Sequence, residues 1–505
     1  MDQIEHESAQ AVVTTTSGAV RGPRYGDMAV YRGIPYAAAP IGKRRWRAPE
    51  PHPVWSEVRD ATDFGFPAPQ AGPADVADIV SIGGAAEPTS EDCLTLNIWA
   101  PAQVASVPVM VWLHGGSNRM GAASLPFYDG AAFARDGVIL VSVNYRLGQL
   151  GFFAHPALTA EAGPDDALGA QGLLDQIAAL EWVRDNIAAF GGDPANVTLF
   201  GESAGGLDIL ALMTAARARG LFHKAVVQSG GGWLPATPLK TAEERGTAAA
   251  AALGLSNPDA ETLRSVPVAS LTAIEGAFGP VVDGRLLKRD PISAFARGEF
   301  ADIPLMIGVN SGEDSLLNYG GGLKRFGKMI KPNAALARLY PQANGDEETL
   351  IRLGFRDFGF AAPARWIAAR PRRSSAWLYA FDYVEEARRE TMARAAHAAE
   401  IFHVFETLDQ RPDGAPEATN KDRAIAAAMH ARWVSFAKTG SPGNDWPAYS
   451  ATDDAWRVFD DQPGGVMQKG WWKQALDHHG RKAGVLILLL RIRDRLRLLL
   501  ARSGR

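Results

Sequence analysis

Val197-Thr198-Leu199-Phe200-Gly201-Glu202-Ser203-Ala204-Gly205-Gly206 is an apolar run that leads straight into a glycine-flanked serine. The run reads as a buried strand, and the residues after Ser203 read as a helix. G-x-S-x-G at such a junction needs small residues, because a strand that turns at once into a helix leaves no room inside the turn. The strain of that turn exposes the Ser203 Oγ at the carboxyl edge of a sheet. The helix that begins there aims its first N–H groups at the same spot, which favours a developing negative charge. A plainer reading makes Ser203 only the cap of a helix, but the strand before it and the helix after it weigh against that.

Working outward, the segments Leu94–Trp99, Val107–Leu113 and Val138–Val143 are apolar runs bounded by turn residues. Runs of this length, apolar on both faces, predict buried strands of a largely parallel sheet. Leu174, Ile177, Leu180, Val183 and Ile187 recur at spacings of three and four, one face of an amphipathic helix over 173–190 that Gly191-Gly192-Asp193-Pro194 ends. Lys224–Gln228, Leu305–Val309 and Ala376–Phe381 read as later strands. Ala19–Gly22 and Met28–Tyr31 read as hairpin strands, and residues 69–90, rich in Pro, Gly and Ala, as a surface loop. Strand, helix, strand in this order predicts an α/β fold with right-handed crossovers. Residues 1–480 read as one elaborated domain and 481–505 as a separate basic tail.

The chain has 505 residues, 47% of them hydrophobic and 21% charged, enough for a large core. Its 52 basic and 56 acidic residues leave a net charge of −4, no footprint for nucleic acid. The single cysteine, Cys93, excludes an internal disulfide and paired-cysteine metal sites. The start of the chain, Met1-Asp2-Gln3-Ile4-Glu5-His6-Glu7, has no apolar segment of a secretory signal. No apolar stretch reaches the roughly 18 residues that span a bilayer. The expected compartment is the cytoplasm.

A serine hydroxyl is a poor nucleophile without a base. Among ten histidines, His6, His478 and His479 sit in polar terminal stretches and read as surface residues. His397 lies far downstream of Ser203, which fits the order nucleophile, acid, histidine. An acid should then lie between them, and Asn310-Ser311-Gly312-Glu313-Asp314 follows a predicted strand; either carboxylate could orient the imidazole. Trp112-Leu113-His114-Gly115-Gly116-Ser117 follows the strand Val107–Val111, and its glycines let backbone N–H groups approach a substrate oxygen. His397 and Glu400 could share a helix face, but one such pair supplies too few ligands for a catalytic zinc, and there is no H-E-x-x-H. No G-x-G-x-x-G opens a helix after a strand, so dinucleotide binding is not expected.

Several separated stretches resemble the type-B carboxylesterase family, which includes the para-nitrobenzyl esterases and cholinesterases. They are Tyr31–Ala37, Glu91–Asn97, Asn144–Gly148, Phe190–Pro194 and Phe200–Gly206, and the resemblance covers roughly residues 11–460. It implies an α/β-hydrolase fold, a mostly parallel central sheet flanked by helices, with large insertions. It implies Ser203 as nucleophile, His397 as base, Glu313 rather than Asp314 as the acid, and Gly116, Ser117 and Ala204 as oxyanion-hole donors. The reaction implied is hydrolysis of a small-molecule carboxylic ester through an acyl-enzyme, with no cofactor. The same machinery serves carbamates, lactones and amides, and the family also has adhesion members that bind without catalysis; the retained nucleophile, acid and histidine positions argue against the latter.

Three positions depart from the family pattern. Asn118 stands where an aromatic is usual, which makes it a candidate wall of the substrate pocket. Phe402-His403 replaces the usual Pro-Tyr or Pro-Phe after the histidine segment. Cys93 matches a cysteine that is often disulfide-bonded, and its usual partner position is Ala68. Beyond the resemblance, Val485, Leu488, Leu489, Ile492, Leu496, Leu499 and Leu500 fall on one side of a helix and Arg491, Arg493, Arg495 and Arg497 mostly on the other. That pattern predicts either a helix at a membrane surface or one packed on protein, its own domain or another subunit.

Overall fold

The computed structural model describes residues 10–70, 88–102, 104–233, 236–319, 321–330, 332–411 and 416–503, and of 491–503 the backbone alone. His6 and most of the predicted loop 69–90 lie outside the described residues. The central sheet opens with Gln10–Thr15, Gly18–Tyr25, Met28–Pro35 and Thr95–Pro101 in antiparallel succession. Thr95–Pro101 pairs antiparallel with Ile139–Val143, and there the sheet turns parallel. The parallel block runs Ile139–Val143, Val107–Leu113, Gly192–Glu202, Lys224–Gln228, Leu305–Asn310, Ala376–Phe381 and Ala455–Phe459. Val466–Lys469 closes it antiparallel.

These strands are apolar on both faces because two cores press on the sheet. Val109, Val111, Leu113, Val141 and Leu199 face one core, which includes Leu173, Ile177 and Leu180. Met110, Trp112, Leu140, Phe200 and Val226 face the other, with Phe133, Phe405, Met429 and Trp433. Alternate side chains of one strand thus serve opposite layers. The helix Gln171–Asn186 differs from its amphipathic reading: it is buried on almost every side. Its Asp175 receives the Arg146 guanidinium at 2.8 and 2.7 Å, so a charge is held in the interior by a paired charge. Gly191, at φ 87°, ends the following short turn as expected.

The chain order creates a switch point. From Val107–Leu113 it passes to Ile139–Val143 on one side and returns to Gly192–Glu202 on the other. The carboxyl ends of the two central strands, Leu113 opposite Gly201, therefore open a crevice between diverging connections, the place where α/β sheets bind ligands.

The helix Lys473–Ser503 runs unbroken through residue 480. Ala475, Leu476, His479, Ala483, Ile487 and Leu490 are buried, so its first half docks on the domain. His479 corrects its surface reading: its Nε2 meets the Tyr340 hydroxyl at 2.9 Å, and that hydroxyl donates to Asp357 Oδ2 at 2.7 Å. Burial pushes the His479 imidazole down to about 4. The docked face is also not the one drawn from the sequence, since Val485, Leu488 and Leu489 are 57–61% exposed. Helical periodicity identifies an apolar stripe but not which stripe finds a partner.

Leu199→Ala empties a site between strand and helix and should cost about 2–5 kcal/mol. Leu488→Ala, on the exposed stripe, should stay within about 0.5 kcal/mol of the parent. Urea unfolding followed by tryptophan fluorescence measures both.

Candidate functional site

Ser203 sits between the strand Gly192–Glu202 and the helix Ala204–Thr214 with φ 53° and ψ −118°, a backbone region that costs energy for any residue with a Cβ. Close packing holds it there. A Cβ on Gly205 would lie 2.1 Å from the Leu113 carbonyl, so only glycine lets the helix approach the neighbouring strand. The Ser203 N–H donates to the Gln228 carbonyl at 2.8 Å, which ties the turn to the next strand.

The loop after Val107–Leu113 lies directly on this turn. A Cβ on Gly115 would come within 3.2 Å of the Ser203 Cβ. Gly116, Ser117 and Asn118 follow with φ of 98°, 58° and 55°, three successive residues in the left-handed region. Ala204 is the first residue of the helix, so the candidate donors Gly116, Ser117 and Ala204 belong to two segments packed on each other at Ser203. His114 is buried with its ring stacked on Tyr145 at 4.5 Å and its Nδ1 bonded to the Gly115 carbonyl at 2.9 Å. Burial pushes this imidazole down to about 4.

Downstream, Leu305–Asn310 delivers Glu313 and the segment after Ala376–Phe381 delivers His397. A bridge between Gly312 and Ala396 joins the two loops. His397 Nδ1 is paired with Glu313 Oε2. The other Glu313 oxygen accepts from the Ser229 hydroxyl at 2.6 Å and the Asn310 N–H at 2.7 Å. Asp314 is engaged elsewhere: both its oxygens accept from Arg394 at 2.9 Å. His397 Nε2 lies 3.0 Å from Glu202 Oε1, within ion-pair range though off the line of a hydrogen bond. Burial alone would push the His397 imidazole down; a carboxylate at each ring nitrogen outweighs it and holds the ring well above the ordinary histidine range.

Sequence reasoning gave no role to Glu202 or Asp208 and weighed Glu400 only as a metal ligand beside His397. Burial raises the Glu202 carboxyl, with His397 pulling the other way. Glu400 accepts from Gln228 Nε2 at 3.1 Å and from Asn310 Nδ2, so its oxygens are already taken by amides. Burial, reinforced by the charge of Glu202, pushes Glu400 up to about 8. Asn118 is fully buried, which excludes a surface-facing role. Its amide Nδ2 donates to Asp208 Oδ1 at 3.1 Å. The one available signal for Asp208 was a charge inside the apolar run Leu207-Asp208-Ile209-Leu210-Ala211-Leu212-Met213.

The family model described as the carboxylesterase family matches residues 9–328 and 345–483. The para-nitrobenzyl esterase of Bacillus subtilis (strain 168) is 37% identical over 480 residues, covering 87% of this chain and 92% of that protein. The chain belongs to the carboxylesterase family. The fumonisin B1 esterase of Sphingopyxis macrogoltabida is 37% identical over 477 residues, 86% of this chain and 84% of that protein. A carboxylesterase of Geobacillus stearothermophilus superposes with a TM-score of 0.79 at 33% identity, over 94% of this chain and 99% of that one.

This carboxylesterase is therefore a hydrolase of carboxylic esters built on the α/β-hydrolase fold. Cys93 and Ala68 are buried in the same core cluster, where burial pushes the Cys93 thiol far above its ordinary range. A small cleft next to the Gly116–Asn118 loop is lined by Arg119, Gln149, Leu271 and Phe278.

The carboxylate at Nε2 makes a signed prediction. A raised His397 keeps the ring protonated to higher pH, so the acid limb of kcat/KM should lie above the ordinary histidine value of about 6.5. Glu202→Gln removes one of the charges that favour the imidazolium and should move that limb to lower pH. A pH–rate profile of both proteins checks the direction; an unmoved limb means Glu202 does not act on His397.

Proposed function

We propose that the carboxylesterase works through an acyl-enzyme on Ser203. His397 takes the Ser203 proton as Oγ attacks the ester carbonyl. The N–H groups of Gly116, Ser117 and Ala204 receive the oxyanion, which is where such donors act most strongly. The alcohol leaves with the proton from His397, and His397 then activates water to release the acid. Glu313 fixes the tautomer and stabilises the imidazolium. The observation that carries this reading is the locked Glu313 carboxylate. One oxygen is held by Ser229 and Asn310 while the other meets Nδ1, which leaves Nε2, on the side of Glu202 and the serine turn, as the nitrogen that moves the proton.

The cytoplasm remains the compartment we assign. The chain's one cysteine supports it, since it has no second thiol to pair with. Among the described residues no helix is long and apolar enough to cross a membrane. We assign the exposed stripe Val485, Leu488 and Leu489 to a contact outside this domain, with a membrane surface or with another subunit.

Ser203→Ala should lower kcat by on the order of 10⁶ with the fold intact. Hydrolysis of a nitrophenyl ester measures this, and retention of more than about one percent of activity sinks the assignment. Glu313→Gln should be far more damaging than Asp314→Asn; the reverse order would move the acid to Asp314. Fluorophosphonate should label the parent at Ser203.

Ending the chain at residue 490 should leave activity in place. With Val485, Leu488 and Leu489 all replaced by Ser, sedimentation with anionic liposomes separates the two contacts: loss of the parent's binding means membrane, and a smaller oligomer with no liposome binding by either form means subunit.

A further inference from the structure

From Ala204 to Met213 the helix is apolar except for Asp208, which is completely buried. Asp208 lies four residues beyond Ala204, one turn down the same face. Its two oxygens accept from different elements: Oδ1 from Asn118 Nδ2 at 3.1 Å, Oδ2 from Gln176 Nε2 at 2.7 Å. One carboxylate thus joins the oxyanion loop, the helix behind the nucleophile and the helix Gln171–Asn186.

The loop has need of such a tie. Ser117 and Asn118 both carry side chains at positive φ, a conformation that persists only where the surroundings over-determine it. The Asn118 carbonyl accepts from the Gly148 N–H at 2.7 Å, which fixes its outer edge. Gln70 exchanges two 3.0 Å bonds with Gly121, which fixes its far end. The Asn118–Asp208 bond is directed at the helix whose first N–H is a candidate oxyanion donor. Burying a carboxylate among leucines is costly, and an apolar side chain would fit this helix at less cost. A directional bond is what the carboxyl provides, although burial pushes its titration up to about 7.

We propose that Asp208 is a positioning residue for acyl transfer: through Asn118 it holds Gly116 and Ser117 in register with Ser203 and Ala204. This rests on the function proposed above. The oxyanion donors act on the transition state more than on the bound ester, so misplacing them lowers kcat rather than raising KM.

Asp208→Leu removes the bond while keeping the number and branching of the side-chain heavy atoms. It should lower kcat by about 10- to 100-fold, the scale of a small misplacement at a reacting centre, with KM little changed. Affinity for a trifluoromethyl ketone, which forms a tetrahedral adduct with an active-site serine, should fall by a similar factor. Asn118→Leu should give a similar loss, and the double variant no further loss, since the two act through one bond. Asp208→Asn should recover much of the activity: its Oδ1 still accepts from Asn118, and the unpartnered Gln176 Oε1 can turn to meet its amide. Unchanged kcat in Asp208→Leu, a rise in KM alone, or additive losses in the double variant would overturn the inference. Should Asp208→Leu fail to fold, Asn118→Leu carries the same readout: a fall in kcat and inhibitor affinity supports the tie, and parent values refute it. Fluorophosphonate labelling of the parent at Ser203 is scored separately, so failure of the underlying mechanism is not mistaken for failure of this tie.

Discussion

A serine backbone held at φ 53° and ψ −118° is the constraint around which this molecule is arranged. Nothing local favours that conformation. It is imposed by the approach of the helix Ala204–Thr214 to the strand end at Leu113, an approach that a single Cβ at position 205 would block. The sheet supplies the force: two cores hold Val107–Leu113 and Gly192–Glu202 side by side, and their ends cannot separate without exposing Leu113, Phe200 and Leu199. Strain at one residue is thus sustained by burial spread over the whole sheet.

The same economy of placement governs the histidine side of the crevice. Glu313 and His397 come from loops of adjacent parallel strands, so their pairing follows from sheet order, with Asn310 opposite Phe381 in register. Around them lie Glu202 and Glu400, both buried. Of these three carboxyls, Glu400 is pushed up to about 8 by burial and the charge of Glu202, and its two oxygens accept from the amides of Gln228 and Asn310.

How much of this was legible in the chain depends on whether the controlling contact is local. Strands apolar on both faces announced themselves, and Val107–Leu113, Lys224–Gln228 and Ala376–Phe381 have the limits read for them. Ala455–Phe459 did not, because Arg457 interrupts the run; it is buried and pairs at 3.0 Å with the exposed Asp445, a partner no periodicity reveals. Glu313 and Asp314 are neighbours that composition cannot separate. What separates them is Arg394, 80 residues from Asp314, which occupies the latter. His479 looked like a surface residue in a polar stretch, yet Tyr340 and Asp357 bury it. Asn118 was visible as an anomaly, but its partner Asp208 is 90 residues away.

The carboxyls flanking His397 bear on how the reaction ends. While the imidazole is protonated it balances Glu202 and Glu313 on its two sides. On the proposed mechanism, deacylation would return the ring to neutrality and leave these two carboxyls facing the released acid. A neutral ester would then enter this crevice without electrostatic opposition, whereas an acid that ionised there would meet like charge. On that mechanism the carboxyls that steady a protonated His397 would also oppose rebinding of the ionised acid, which would make the crevice directional with respect to charge.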